Sequence, residues 1–135
     1  MQKFIIICLA GLLFPIYSFA QSGKVSSALK IARLKYNGGG DWYNDPQEEV
    51  NLLNFVKLST VVDVDPVYEF VEITSDKFFT YPFIFMTGHG SITFSDVEVR
   101  RLRTYLENGG FMYVDDDYGM DKAFRREIKK EASAP

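Results

Sequence analysis

Residues 83–117 constrain the fold more than any other stretch of the chain. Phe83-Ile84-Phe85-Met86 is apolar at every position and runs into Thr87-Gly88-His89-Gly90. Ser95-Asp96-Val97-Glu98 then has the form of a capping box, with a hydroxyl that can accept the N–H three residues on and a carboxylate that can reach back. Phe94 and Val99 flank it as a hydrophobic staple. Val99, Leu102, Tyr105 and Leu106 recur at helical spacing, which predicts a helix from about Asp96 to Asn108. Asn108-Gly109-Gly110 supplies a left-handed stop. Phe111-Met112-Tyr113-Val114 is again apolar throughout and ends in Asp115-Asp116-Asp117. Strand, loop, helix, strand in this order reads as one right-handed βαβ crossover. Strands apolar on both faces are strands covered on both sides, so the expected fold is α/β, a parallel sheet with helices on both faces. Ligands of such sheets bind beyond the carboxyl ends of the strands, where strand order reverses.

The first twenty residues stand apart. Met1-Gln2-Lys3 is a cationic start, Phe4 to Phe14 is almost unbroken apolar sequence, and Ser18-Phe19-Ala20 places small residues before a cleavage point. This is the pattern of a secretory signal peptide, residues 1–20, cut between Ala20 and Gln21. Pro15 interrupts a run already short for a membrane span, so no span is expected after cleavage. The expected location is periplasmic or secreted. Residues 21–27 read as a polar leader and residues 28–131 as one domain. The formal charge of −3 becomes more negative when Lys3 is lost, which argues against a nucleic-acid partner. Cys8 is the only cysteine and leaves with the signal, taking with it any disulfide, thiolate nucleophile or cysteine metal ligand.

Between leader and crossover the pattern is less regular. Leu29 to Tyr36 alternates as a strand, with Lys30, Arg33 and Lys35 as its polar members, and Asn37-Gly38-Gly39-Gly40 stops it. Asp45-Pro46-Gln47-Glu48 predicts a helix start, with Asp45 as cap and Pro46 in the first position. Val50, Leu52, Leu53, Phe55 and Val56 form its apolar face, ending near Leu58. Val61 to Val64 reads as a short strand closed by Pro66, and Tyr68 to Ile73 as a separate edge strand. Asp121 is the expected cap of a last helix that buries Phe124 and Ile128. Its run of Lys122, Arg125, Arg126, Lys129 and Lys130 is expected to face solvent.

Three polar loops leave the strands, and they hold the candidate ligand-binding residues. The first is Gly39, Gly40, Asp41, Trp42 and Tyr43. Its glycines permit close approach of backbone to a ligand, but they match neither a dinucleotide fingerprint nor a P-loop. They equally make a sharp strand exit, and the two aromatics equally close the core. The second is Gly88, His89 and Gly90, where the only histidine of the chain is either a turn residue or a group that meets a ligand or moves a proton. The third is Asp115, Asp116 and Tyr118. Adjacent aspartates either cap the following turn or hold a hard cation such as Mg²⁺ or Ca²⁺ through oxygen. No cofactor is expected otherwise, and no metal ligand set is assigned.

Ala32 to Tyr36 with Gly39 to Tyr43, Phe85 to Gly90, Leu102 to Tyr105 with Gly109 to Phe111, and Asp115-Asp116 with Tyr118-Gly119 together resemble an uncharacterised exported bacterial family of unknown function. That family is placed in the class I glutamine amidotransferase-like superfamily. The resemblance covers roughly Ala28 to Ile128 and implies a flavodoxin-like sheet. In active glutaminases of the superfamily a cysteine sits on the turn after the strand matching Phe111 to Val114. Here Asp116 or Asp117 occupies that region, so glutaminase activity is not expected. Family members look longer, which implies truncation at the C-terminus and an open, self-associating sheet edge. The expected function is a non-catalytic binding domain for a small ligand or an envelope protein. The alternative is a hydrolase using the aspartates, with or without a metal, and His89 as acid or base.

Overall fold

A computed structural model describes residues 28–133. The expected signal peptide and leader lie outside the described residues. Strands β1 (Leu29–Leu34), β2 (Val64–Val71), β3 (Phe83–Met86) and β4 (Phe111–Val114) form one sheet in the order β2-β1-β3-β4, and every pair is parallel. Helices α1 (Glu48–Ser59), α2 (Asp96–Glu107) and α3 (Asp121–Ser133) complete it, with a 3-10 turn, Asp76–Thr80, between β2 and β3. This is the flavodoxin-like α/β arrangement expected. No helix among the described residues is long and apolar enough to cross a membrane.

Alternation along the strands divides the interior into two layers. Ala32, Leu34, Ile84 and Met86 point to one face and meet Phe78, Leu102, Tyr105, Met120 and Ala123 in the larger core. Met112, Val114, Phe124 and Ile128 pack against the same core. Ile31 and Phe85 point the other way and meet Leu53 of α1 and Val64 in a smaller one. The capping box of α2 forms as its sequence requires: Ser95 accepts from the Glu98 N–H, and the Glu98 carboxylate accepts from the Ser95 N–H at 2.8 Å. Phe94 and Val99 are both buried against it.

Four expectations change. Arg33 is not a solvent-facing member of β1; it is fully buried on the α1 side. Its guanidinium holds the carboxylate of Glu49, also fully buried, through Nε at 2.5 Å and a second nitrogen at 2.6 Å. It also donates to the backbone carbonyls of Asn44 and Asp45. Those carbonyls are drawn out of helical register, Asp45 takes a left-handed φ of 43°, and α1 begins at Glu48 behind Gln47, which makes no side-chain cap. Asp45 and Pro46 therefore do not start the helix. Secondly, β2 is a single edge strand that continues through Pro66, while Val61 and Val62 are exposed before it. Edge position tolerates the missing N–H, and the register to β1 breaks between Leu29 and Ile31 to pass it. Thirdly, β4 reads as a central strand but has only β3 as a neighbour among the described residues.

The fourth change concerns α3. Asp116, not Asp121, takes up the N–H groups of Met120 and Asp121 at 2.8 and 3.0 Å, and Asp121 pairs with Arg125. Nor is the basic run wholly a solvent face. Glu127 is buried and accepts from the Phe94 N–H, Arg126 and Lys130, while Arg126 reaches the Ile92 carbonyl. Burial opposes charge on Glu127, but these donors outweigh it and hold its carboxyl below the usual range.

Candidate functional site

Strand order reverses between β1 and β3: α1 leads from β1 to β2 on one side, and the chain then returns across β1 to build β3 and β4 on the other. The loops after these two strands meet there. The Gly40 N–H donates to the Ser91 carbonyl at 2.9 Å, the Thr93 N–H to Asn37 at 2.8 Å, and the Asp41 N–H to His89 at 3.3 Å. Two glycines make this possible. A Cβ on Gly40 would lie 2.7 Å from the Tyr36 ring, and one on Gly88, whose φ is 139°, would lie 2.5 Å from the Tyr36 hydroxyl. The close approach that these glycines permit is used by protein against protein. A Cβ on Gly39 would have nothing within 4 Å, and one on Gly90 would make only van der Waals contact with Gly39 and Gly40.

The side chains that meet across the junction are Asp41 and His89. One Asp41 oxygen accepts the His89 backbone N–H; the other stands 3.0 Å from the ring Nδ1. The His89 N–H, foremost, and then the imidazole hold the Asp41 carboxyl below its usual range. The carboxylate beside Nδ1 orients the ring. The His89 side chain is 46% exposed. His89 also bridges to Tyr118 of the third loop. Asn44 ties that loop in: its amide donates to Asp117 at 2.6 Å and stands 3.3 Å from His89 Nδ1.

Of the residues expected at the site, Asp41, His89 and Tyr118 come together directly. Tyr43 and Tyr118 are largely exposed beside them. Trp42 is half-buried against the larger core, edge-on to Tyr43 and Phe70 and beneath Lys35. Asp116 spends both carboxylate oxygens on the backbone before α3. Asp115 lies at the end of β4, where its N–H donates to Met86.

Asn44, Tyr36 and Glu48 are missing from the residues expected at the site, and Asp117 stands in the sequence only as one of three adjacent aspartates. Asn44 and Asp117 join the loops, Tyr36 lies under them, and Glu48 lies beside them. The Tyr36 hydroxyl donates to the Thr87 carbonyl at 3.1 Å, and burial, with help from Asp41 and Asp117, pushes its pKa up to about 12. Asp45, Glu48 and Asp117 can each bring one oxygen within 4.8 Å of the others. Burial, followed by repulsion from Asp117, raises Glu48 to about 7 against the opposing pull of Arg33. The signal for the buried pair below was present in the sequence: Arg33 shares the period-2 face of Leu29 and Ile31, and Glu49 precedes Leu53 by one helical turn. Opposite charges interrupt two apolar faces.

A parallel α/β domain with its polar loops gathered at the point of strand reversal defines the class. Within that class, the chain belongs to the family described as a domain of unknown function, DUF4159, whose profile matches residues 30–132. Comparison with curated proteins finds no match.

Proposed function

We propose that this chain is an exported binding domain, related to the glutamine amidotransferase-like proteins but without their chemistry. It takes a small polar ligand or a side chain of an envelope protein at the carboxyl end of its sheet. The observation that carries the reading is the Asp41–His89 pair at the strand reversal, with Nδ1 engaged, the imidazole half-exposed, and the exposed Tyr43 and Tyr118 on the loops that meet there. A histidine so oriented can donate or accept at one defined atom. The aromatics offer apolar contact around it. With Cys8 the only cysteine, the domain holds no thiolate for glutamine hydrolysis.

A melting-temperature screen against carboxylates, amines, amino acids and salts of Mg²⁺ and Ca²⁺ tests this. Hits are repeated with His89→Ala and Asp41→Asn, and Trp42, the only tryptophan, reports binding by fluorescence. Loss of the shift in both variants is expected; a shift that survives both sinks the reading. The oxygens of Asp45, Glu48 and Asp117 favour a second reading, a metal-assisted hydrolase with His89 as acid or base. A shift specific to Mg²⁺ or Ca²⁺ and lost in Asp117→Asn would favour it. Export predicts that protein recovered outside the cytoplasm begins at Gln21, and N-terminal sequencing that returns Met1 removes that part of the proposal.

A further inference from the structure

Among the described residues the sheet has two edges, and they are built differently. β2 carries Pro66, Asp65, Glu69 and a break in register, each an obstacle to a further strand. β4 is Phe-Met-Tyr-Val, with no proline, no charge and unbroken pairing to β3. Phe111 and Asp115 donate their N–H groups to Pro82 and Met86 on the β3 side. Strand N–H groups alternate, so those of Met112 and Val114 face away from β3. One row of side chains is uncovered as well. Phe111 is 55% and Tyr113 46% exposed, packed beside Phe83 and Phe85 with ring centroids 5.2 and 5.5 Å apart.

We propose that β4 pairs with β4 of a second copy of this chain, antiparallel, about a two-fold axis at Tyr113. The outward backbone groups set this register. Met112 of each copy faces Val114 of the other, and the N–H and C=O groups of both residues find partners in both chains. Charge selects the antiparallel arrangement. Aspartates follow β4 at its carboxyl end, whereas uncharged Asn108-Gly109-Gly110 precedes it. In the antiparallel pair Asp115 lies opposite Phe111 and Asp116 opposite Gly110; a parallel pair would set the acids side by side. Tyr113 meets its own counterpart, and the aromatic row of Phe85 and Tyr113 continues across both copies.

Sedimentation velocity of the purified chain over roughly a hundredfold dilution series should show a reversible monomer–dimer equilibrium. Tyr113→Lys places two ammonium groups face to face at the axis and should weaken the dimer at least about tenfold, as should Tyr113→Glu. Mixing the two variants should restore association as a heterodimer. Val67→Lys on the guarded edge should leave it unchanged. Should the charged variants fail to fold, amide exchange on the unaltered chain decides: Met112 and Val114 should be protected in the dimer and exchange freely on dilution. A monomer at every concentration, open-ended aggregation, or a dimer in which those two amides exchange freely overturns the proposal.

Discussion

The two faces of this sheet are held by different physics. Under α2 and α3 the contact is mainly apolar, a continuous layer from Val71 and Phe78 through Leu102 to Met120, with the buried carboxylates of Glu98 and Glu127 among the helices. Under α1 the apolar layer is small, and at its centre stands the buried Arg33–Glu49 pair. Burial of apolar area stabilises without specifying orientation. A buried charge pair stabilises little in net terms, because desolvation offsets attraction, but it tolerates no substitute geometry. The first face therefore supplies most of the stability of the fold. The second fixes where the chain runs after β1, because the same guanidinium that grips Glu49 also holds the carbonyls of Asn44 and Asp45. Asn44 is the residue that links Asp117 to His89. The site is positioned by the polar face.

This contrast can be broken by substitution. A large effect is expected for Glu49→Ala, which leaves the buried Arg33 only the longer 3.4 Å carboxylate contact to Glu48 and should cost about 3 kcal/mol in denaturant unfolding. The double change Arg33→Met with Glu49→Leu sharpens the point: stability should return, while the loop at Asn44 loses its anchor and ligand affinity falls. Recovery of both would show that the pair does not position the site. On the apolar face Leu102→Ala should cost about 3 kcal/mol through lost burial and the cavity left behind, with binding at His89 unchanged in the variant that remains folded.

Smaller effects belong to the titrating groups. Tyr36→Phe should cost about 1 kcal/mol for the lost bond to Thr87. It should also flatten the alkaline limb of stability. The folded hydroxyl titrates at about 12 against 10.0 when exposed, so its contribution is complete below pH 10 and is lost as pH rises toward 12. A stability profile in Tyr36→Phe that falls over the same interval as in the unaltered chain would contradict this. Glu48→Gln should stabilise by on the order of 1 kcal/mol at about pH 8, where the folded protein must carry an unfavourable charge, and by less at about pH 5, where Glu48 is already mostly protonated. Acid acts in the opposite sense on Asp41. Its carboxyl is depressed, so its contribution is present above the ordinary carboxylate range and is lost only as pH falls below it. Loop closure, followed by amide exchange at His89, should weaken in the unaltered chain as pH falls below the carboxylate range, and should be weaker in Asp41→Asn and lack that acid limb.

Most of the apolar face was legible in the sequence. The period of α2, its Ser95–Glu98 box and the strand Phe83–Met86 all rest on local spacing, and each formed as read; Phe111–Val114 formed as a strand, but with Phe111 and Tyr113 exposed rather than covered on both sides. The polar face was less so: Arg33 and Glu49 each interrupt an apolar face, but they satisfy one another across 16 positions and neither alone names its partner. The same reason hid the start of α1, where a tertiary bond to the Asp45 carbonyl overrode the local signal of Asp45-Pro46. At the site the sequence picked out the three loops, including Asp41 and His89. It did not separate Asp116, which is consumed by backbone, from Asp117, which meets Asn44. Neighbouring aspartates are equivalent until the turn that follows them is known.

Asp41 and His89 lie 48 positions apart. Closing so long a loop is slow relative to local helix formation and brings no return until both strands are in place. The junction should therefore be among the last contacts to form, after β1 and β3 have paired. A molecule that binds there meets no receptor in a partly folded chain and rewards only the finished one. By mass action it draws the population toward completion. Such a ligand would act as a checkpoint on assembly as well as cargo.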